Sequence, residues 1–284
     1  IAMSYGVTYK SMSNILSAYG LTAPASPIEK YNKPLRATPP SVVVTADHHV
    51  PKHNQEFLEK VVALAVSWGV KHHILLGDVM DMAPLGTFLN PPKETFEEEK
   101  EVGRLFFGWL SKWFEEIWWV AGNHEERLFR MLFEHLDMKD LWAIMGSYTK
   151  ITPTPYRWCL LGDDWQLEHP RAASVIPGRV PSRQANIYSD KHMVGAHGHL
   201  RASTMADDGK RYAIDLGVCC DAERMDWLQL KHGLRPKVVP GALILMRNEN
   251  QPSLPEPLGI RSTYRPYVLE PNSDWEALAR MYPL

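Results

Sequence analysis

Val42-Val43-Val44-Thr45-Ala46-Asp47-His48-His49, Ile74-Leu75-Leu76-Gly77-Asp78-Val79-Met80-Asp81 and Ile117-Trp118-Trp119-Val120-Ala121-Gly122-Asn123-His124-Glu125 share one design: a short apolar run that stops on electron-donating side chains. Such runs, rich in β-branched and bulky residues and bounded by polar ones, read as buried strands: Val42–Thr45, Ile74–Leu76 and Ile117–Ala121. Between the first two, Phe57, Val61, Leu64, Ala65 and Trp68 recur at helical spacing, and Gly69 ends the helix predicted over Phe57–Trp68. Between the second and third, Thr95 and Glu98 form a capping box ahead of an amphipathic stripe of Phe96, Val102, Leu105, Phe106, Trp109 and Trp113. Glu94, Glu97, Glu98, Glu99 and Glu101 read as the solvated face of that helix and as partners of its N-terminal dipole. Another helix is predicted from about His124 to Phe133. This alternation implies parallel strands with crossover helices, an arrangement whose strand ends share a crevice.

The second half reads differently. Trp158–Leu161, Trp165–His169, Met193–Ala196, Tyr212–Leu216 and Ala242–Met246 read as strands, several joined by turns such as Gly162-Asp163-Asp164 and Asp207-Asp208-Gly209. Tyr264–Leu269 and a short helix, Trp275–Met281, close the chain. The expected architecture is α/β: a mixed β-sandwich with flanking helices. Residues 1–40 read as an N-terminal arm or linker with one short helix, Ser11–Tyr19. Residues 41–284 read as the main domain, with a Pro-rich C-terminal extension from about 251.

The 284 residues carry 31 Lys+Arg against 33 Asp+Glu, a net charge of −2, which excludes a polycationic wrapper of nucleic acid but not a local phosphate-binding patch. Hydrophobic residues at 45% and charged residues at 23% exclude a disordered chain. Three cysteines, Cys159 and the adjacent Cys219 and Cys220, make no disulfide framework, so a reducing, cytoplasmic setting is expected. No apolar run approaches a membrane span, no signal peptide precedes the first strand, and a start at Ile1 rather than Met suggests a longer parent chain.

Five blocks concentrate the chemistry. Asp47 and His49 follow the first strand, Asp78 and Asp81 the second, and Asn123 and His124 the third; His169 closes a later strand, and His197 and His199 follow Met193-Val194. Carboxylate, imidazole and amide donors without a thiolate suit manganese, iron or zinc. In order and spacing, D-x-H, G-D-x-x-D, G-N-H-E, a single histidine and G-A-H-G-H resemble the calcineurin-like metallophosphoesterase superfamily over about residues 41 to 218. The stretch Gly122–Leu128 is most similar to small bacterial and phage-encoded members.

The resemblance implies a four-layered α/β/β/α sandwich with two mixed sheets. It implies two divalent ions (manganese first, with iron, zinc, cobalt, nickel or magnesium as alternatives). One ion is held by Asp47, His49, Asp78 and His199, the other by Asp78, Asn123, His169 and His197. His48 falls in a variable position, His124 matches the catalytic histidine, and Asp81 would orient it. The implied reaction is hydrolysis of phosphate esters by hydroxide bridging the ions, in line at phosphorus. Met82-Ala83 after Asp81 and Val50 after His49 depart from the protein-phosphatase branch. Arg171, Arg179 and Arg183, in a basic loop between His169 and His197, suit an extended phosphate substrate and favour a phosphodiesterase, with a nuclease as one form. A phosphomonoesterase on small substrates is the alternative, and a catalytically degenerate scaffold acting through protein contacts is a third. The expected partner is a phosphate ester, nucleic acid included; no membrane partner is expected, and the oligomeric state is left open.

Overall fold

The computed structural model describes residues 34–86, 94–131, 137–187, 190–225, 238–247 and 260–282. The helix expected at Ser11–Tyr19, the end of the helix expected to reach Phe133, and the start of the Pro-rich extension lie outside the described residues.

Two six-stranded sheets form the frame. In the first, the order is β12 (Tyr264–Leu269), β11 (Ala242–Arg247), β2 (Ser41–Thr45), β3 (His72–Leu76), β4 (Glu116–Val120) and β5 (Ile151–Thr154). β2 to β5 run parallel, and β11 is antiparallel to both its neighbours. In the second, the order is β1 (Leu35–Ala37), β6 (Trp158–Leu161), β7 (Trp165–Glu168), β8 (His192–Gly195), β10 (Tyr212–Leu216) and β9 (Arg201–Met205). β7, β8 and β10 are parallel, whereas β6–β7 and β9–β10 are hairpins built on the two expected turns.

Period-two alternation decides which layer each strand residue joins. Val42, Val44, Ile74, Leu76, Trp118 and Val120 point between the sheets and meet Leu161, Trp165, Leu167, Val194 and Ile214. Val43, Leu75, Ile117 and Trp119 point outward, beneath α1 (Gln55–Ser67), α2 (Phe96–Trp113) and α4 (Met138–Met145), whose Phe57, Leu58, Val61, Phe107, Leu110 and Leu141 complete that layer. α3 (Glu125–Met131) lies between β4 and β5 in sequence. α5 (Arg179–Ile187) covers the far side of the second sheet, with Ala185 against Met193. α6 (Trp275–Met281) packs near α1. Helices outside both sheets make the fold an α/β/β/α sandwich.

Three differences from the sequence expectation have physical causes. The stretch between His169 and His197 is not all loop: α5 forms there, with only Pro181 and Ala185 of it buried, and Pro181 in its first turn reads from sequence as a loop residue. Leu35–Ala37, read as arm, pairs with β6 as an edge strand. Glu99 is not solvated. It lies on the same face as Phe96, Gly103 and Phe106 and is 1% exposed. The capping box forms as expected, Thr95 accepting from Glu98 N and Glu98 accepting from Thr95 N. All three cysteines are buried and free, and among the described residues no helix is long and apolar enough to cross a membrane.

Candidate metal centre

Five parallel strands deliver the donors. Asp47 and His49 follow β2, Asp78 follows β3, Asn123 follows β4, His169 follows β7, and His197 and His199 follow β8. The loops turn so sharply that Asp47, His49, Asp78, His197 and His199 all adopt left-handed backbone, with φ of 51, 48, 48, 69 and 57°. Only seven non-glycine residues do so in the described chain, and five are these donors. Each costs on the order of 1–3 kcal/mol, a strain that marks functional sites. Gly122 allows the closest approach: a Cβ there would collide with the Asp78 backbone and carboxylate, so the turn before Asn123 can be made only by glycine.

Three groups of donor atoms converge, each with all its atoms within 4.8 Å of one another: Asp47, His49 and His199; His49, Asp78 and His124; and Asp78, His169 and His197. Asp78 belongs to two of them. In the first group, His49 Nδ1 pairs with Asp81 Oδ1 at 3.2 Å, which turns Nε2 toward His199 Nε2 at 3.2 Å and Asp47 Oδ1 at 3.8 Å. Asp47 Oδ2 accepts from the His197 amide at 3.0 Å, while the buried Oδ1 faces His199 Nε2 at 3.1 Å. A carboxylate oxygen and two imidazole nitrogens turned on one point form a donor set that a single cation can satisfy. Burial alone would raise the Asp47 pKa, yet the charge and hydrogen bond of His199 hold it at about 2.

The second side repeats the logic. His169 Nδ1 donates to the Leu76 carbonyl at 2.9 Å, leaving Nε2 to face Asn123 Oδ1 at 3.1 Å and Asp78 Oδ2 at 3.2 Å. Two oxygens on one nitrogen call for positive charge between them. Burial disfavours a proton on His169, but the Asp78 carboxylate outweighs it and pushes the pKa up to about 9. Burial and the neighbouring His169 drive His197 down to about 4, so it stays a neutral donor. Asp78 is fully buried, which would raise its pKa, but His124 and His169 hold it well below the usual carboxylate range. The donor chemistry, with Asp47, His49 and His199 converging on one point and Asp78, His169 and His197 on another, therefore fits two divalent cations.

Around the donors stands a rigid support. Asp81 Oδ1 lies 3.2 Å from Nδ1 of both His49 and His124, and the Asp81 carbonyl accepts from His124 Nδ1 at 2.5 Å. Lys52, 6% exposed, donates to Asp81 Oδ2 at 2.7 Å. Glu125 is fully buried and accepts from four backbone amides, Asp78 and Gly122 at Oε2, Val79 and Met80 at Oε1. Glu99 Oε1 accepts from the Met82 amide at 2.5 Å, and burial pushes its pKa up to about 8. His48 turns away from the donors to Thr45 Oγ1 at 2.8 Å and the Phe106 ring.

The expected donors thus come together; the expected arginines do not. Arg171 is 79% exposed and lies 3.9 Å from Glu126, while Arg179 and Arg183 sit exposed, one turn apart, on α5. Two arginines not expected from sequence stand closer. Arg127 Nη2 is 2.8 Å from His124 Nε2, and Arg157 Nη2 donates to Asn123 Oδ1 at 3.4 Å. Arg127 carried a signal, one helical turn beyond His124; Arg157 and Lys52 carried none.

The sequence matches the calcineurin-like phosphoesterase family over residues 40–232. No curated protein matches it. Among solved structures, Vps29 of Chaetomium thermophilum is similar at 12% identity and a TM-score of 0.39, over 72% of this chain and 79% of that one. Vacuolar Protein Sorting 29 of Cryptosporidium parvum gives 13% and 0.40, over 72% and 83%, and Pseudomonas putida nuclease MPE gives 12% and 0.33, over 72% and 82%. With more than half of its length inside the family match, the chain belongs to the calcineurin-like phosphoesterase family.

Proposed function

We propose that the chain hydrolyses phosphate esters at a dinuclear metal centre, with phosphodiesters as substrates and nucleic acid among them. One observation carries this reading: Asp78 belongs to two groups of metal-capable donors, one with His49 and His124 and one with His169 and His197, and His49 links the first of these to Asp47 and His199. Asp47, His49, Asp78 and His199 hold one divalent cation, manganese first among candidates, and Asp78, Asn123, His169 and His197 hold the other. Bound there, the two cations supply an acidified water as nucleophile and neutralise charge on the phosphoryl oxygens.

The chain's own groups do the rest. Lys52 engages one oxygen of Asp81, leaving the other to His49 and His124. Asp81 and its own carbonyl thereby hold His124 Nδ1, so that Nε2 is the atom turned toward the reacting group. Nε2, which here faces Arg127 Nη2 at 2.8 Å, must exchange that contact for a proton before it can protonate the departing oxygen, a step that matters most for poor leaving groups. The exposed Arg171, Arg179 and Arg183 receive flanking phosphates of an extended substrate.

Screening the protein with added manganese against mono-, di- and cyclic phosphate esters and single-stranded DNA tests the class, and His124→Ala tests the mechanism. The variant keeps its metals and loses far more rate on alkyl than on activated aryl esters. Equal losses on both would make His124 electrostatic only, and lost metal would make it a ligand.

A further inference from the structure

Glu99 stands on the buried face of α2, a helix that Phe106, Phe107 and Leu110 root in the core. A carboxyl group taken this far out of water is costly unless donors meet it. Its Oε1 accepts from the Met82 amide at 2.5 Å, and the Ala83 amide also favours its charged form. Met82 is fully buried and left-handed, with φ of 48°, a conformation that a non-glycine residue keeps only when its surroundings hold it. The Met82 amide and the Asp81 carbonyl belong to one peptide unit, so the two ends of that plane point in opposite directions. At the carbonyl end, His124 Nδ1 donates at 2.5 Å and Arg127 Nη1 at 2.8 Å. His124 Nδ1 lies farther, at 3.2 Å, from the Asp81 carboxylate, whose oxygens also serve His49 and Lys52. The carbonyl is therefore the closer of the two holds on the His124 ring, and Glu99 grips the peptide that carries it from behind.

We propose that Glu99 is a positioning residue for His124: it fixes the tilt of the Asp81–Met82 peptide, and that peptide aims the ring from its other end. The inference rests on reading this site as a phosphoesterase centre and names a helix residue on which protonation of the leaving group depends. A peptide unit is a stiff plane, so a shift of its N–H end is carried to its C=O end. Hydrogen bonds in such a chain also polarise one another, and an acceptor at the amide strengthens the carbonyl as an acceptor for His124. Glu99 feels the charges of Asp81 and His124 and acts in turn on Arg127, which ties it electrostatically to this site. Its own oxygens reach the loop and not the reacting atoms, so it works only through the peptide and the ring.

The test compares Glu99→Met, which fills the same space without an acceptor, with Glu99→Gln, which keeps a carbonyl oxygen for the Met82 amide; manganese content is measured on every sample. Glu99→Met is expected to lose about tenfold to a hundredfold in kcat on alkyl phosphate esters and no more than about threefold on activated aryl esters, whose leaving groups need no proton. Glu99→Gln is expected to recover most of the alkyl rate. Glu99→Asp keeps the charge but withdraws it by one methylene; it should show the same split in smaller measure and serves where Glu99→Met does not fold. Two measurements read the hold without turnover: hydrogen exchange at the Met82 amide, and the NMR shift of His124 Nδ1 in metal-free protein. Both should move in Glu99→Met and return in Glu99→Gln. Glu97→Gln, on the 68% exposed side chain two residues away, is the control and should match the parent throughout. An unchanged alkyl rate in Glu99→Met overturns the proposal, as do equal alkyl and aryl losses, losses that follow lost manganese, or a Gln variant as impaired as the Met one. A parent protein that hydrolyses no ester overturns the phosphoesterase reading, and the His124 shift then decides the hold alone: moved in Glu99→Met and restored in Glu99→Gln it upholds it, and unmoved it overturns it.

Discussion

Glu125→Gln replaces one carboxylate oxygen with an amide NH2 inside a ring of backbone donors. Oε2 accepts from Asp78 N at 3.1 Å and Gly122 N at 2.8 Å, and Oε1 from Val79 N at 2.8 Å and Met80 N at 3.1 Å. A glutamine has one acceptor oxygen, so it can serve only one of these pairs; its NH2 then points at the two amides of the other. Two buried N–H groups lose their acceptor at about 1–3 kcal/mol each, a destabilisation of about 2–6 kcal/mol. For a domain of this size that lowers Tm by roughly 4–24 °C. The four amides belong to the loop that aims Asp78 and to the turn at Gly122 that packs against it, so manganese affinity should fall with stability. Urea unfolding gives the free energy, and manganese titration gives the affinity. Glu101→Gln, which breaks only a surface pair with Arg104, should cost no more than about 0.5 kcal/mol. A Glu125→Gln protein within about 1 kcal/mol of the parent and with equal manganese affinity would refute the role of this carboxylate as the strut beneath Asp78.

Asp78→Ala should abolish tight binding of both cations, and elemental analysis finding two retained ions would sink the shared-ligand assignment. The pH dependence of the chelated protein follows from His169, whose folded pKa is raised from 6.5 to about 9. Its contribution to stability is present in full below 6.5 and lost as pH rises through about 9, so Tm of the chelated protein should fall across that window while manganese affinity rises. Flat profiles in both measurements would contradict it. Replacing Arg171, Arg179 and Arg183 together by Gln should raise KM for oligonucleotides and flatten its salt dependence while leaving small-ester kcat in place. Small-ester turnover falling together with metal affinity would instead make that segment a brace for His169.

What could be read from sequence was local. Val42–Thr45, Ile74–Leu76 and Ile117–Ala121 announce buried strands by composition, and the donors that follow them are adjacent in the chain to the elements that aim them. The parts that were not legible depend on partners far away. Arg201–Met205 has no clean alternation, because an edge strand of a hairpin is half solvated on both faces. Leu35–Ala37 is too short to show a period and becomes a strand only through β6. Arg157 is an ordinary arginine until the loop at Asn123 closes on it. Glu99 is the exception, since its spacing to Gly103 and Phe106 already puts it on the buried stripe.

Two of the three donor groups draw on both sheets, and their members lie far apart along the chain: His49 and His199 are 150 residues apart, and His169 meets the end of β3 across 93. An unfolded chain cannot present such a set, and neither sheet can present it alone. The centre therefore exists only once the two halves of the sandwich have docked in register, which makes cation uptake a late folding event and a readout of its completion. By mass action a cation at a hundred times its Kd adds about 2.7 kcal/mol to the folded state. In this fold that energy acts as a clasp across the interface between the sheets, at the end where strained loops would otherwise make it weakest.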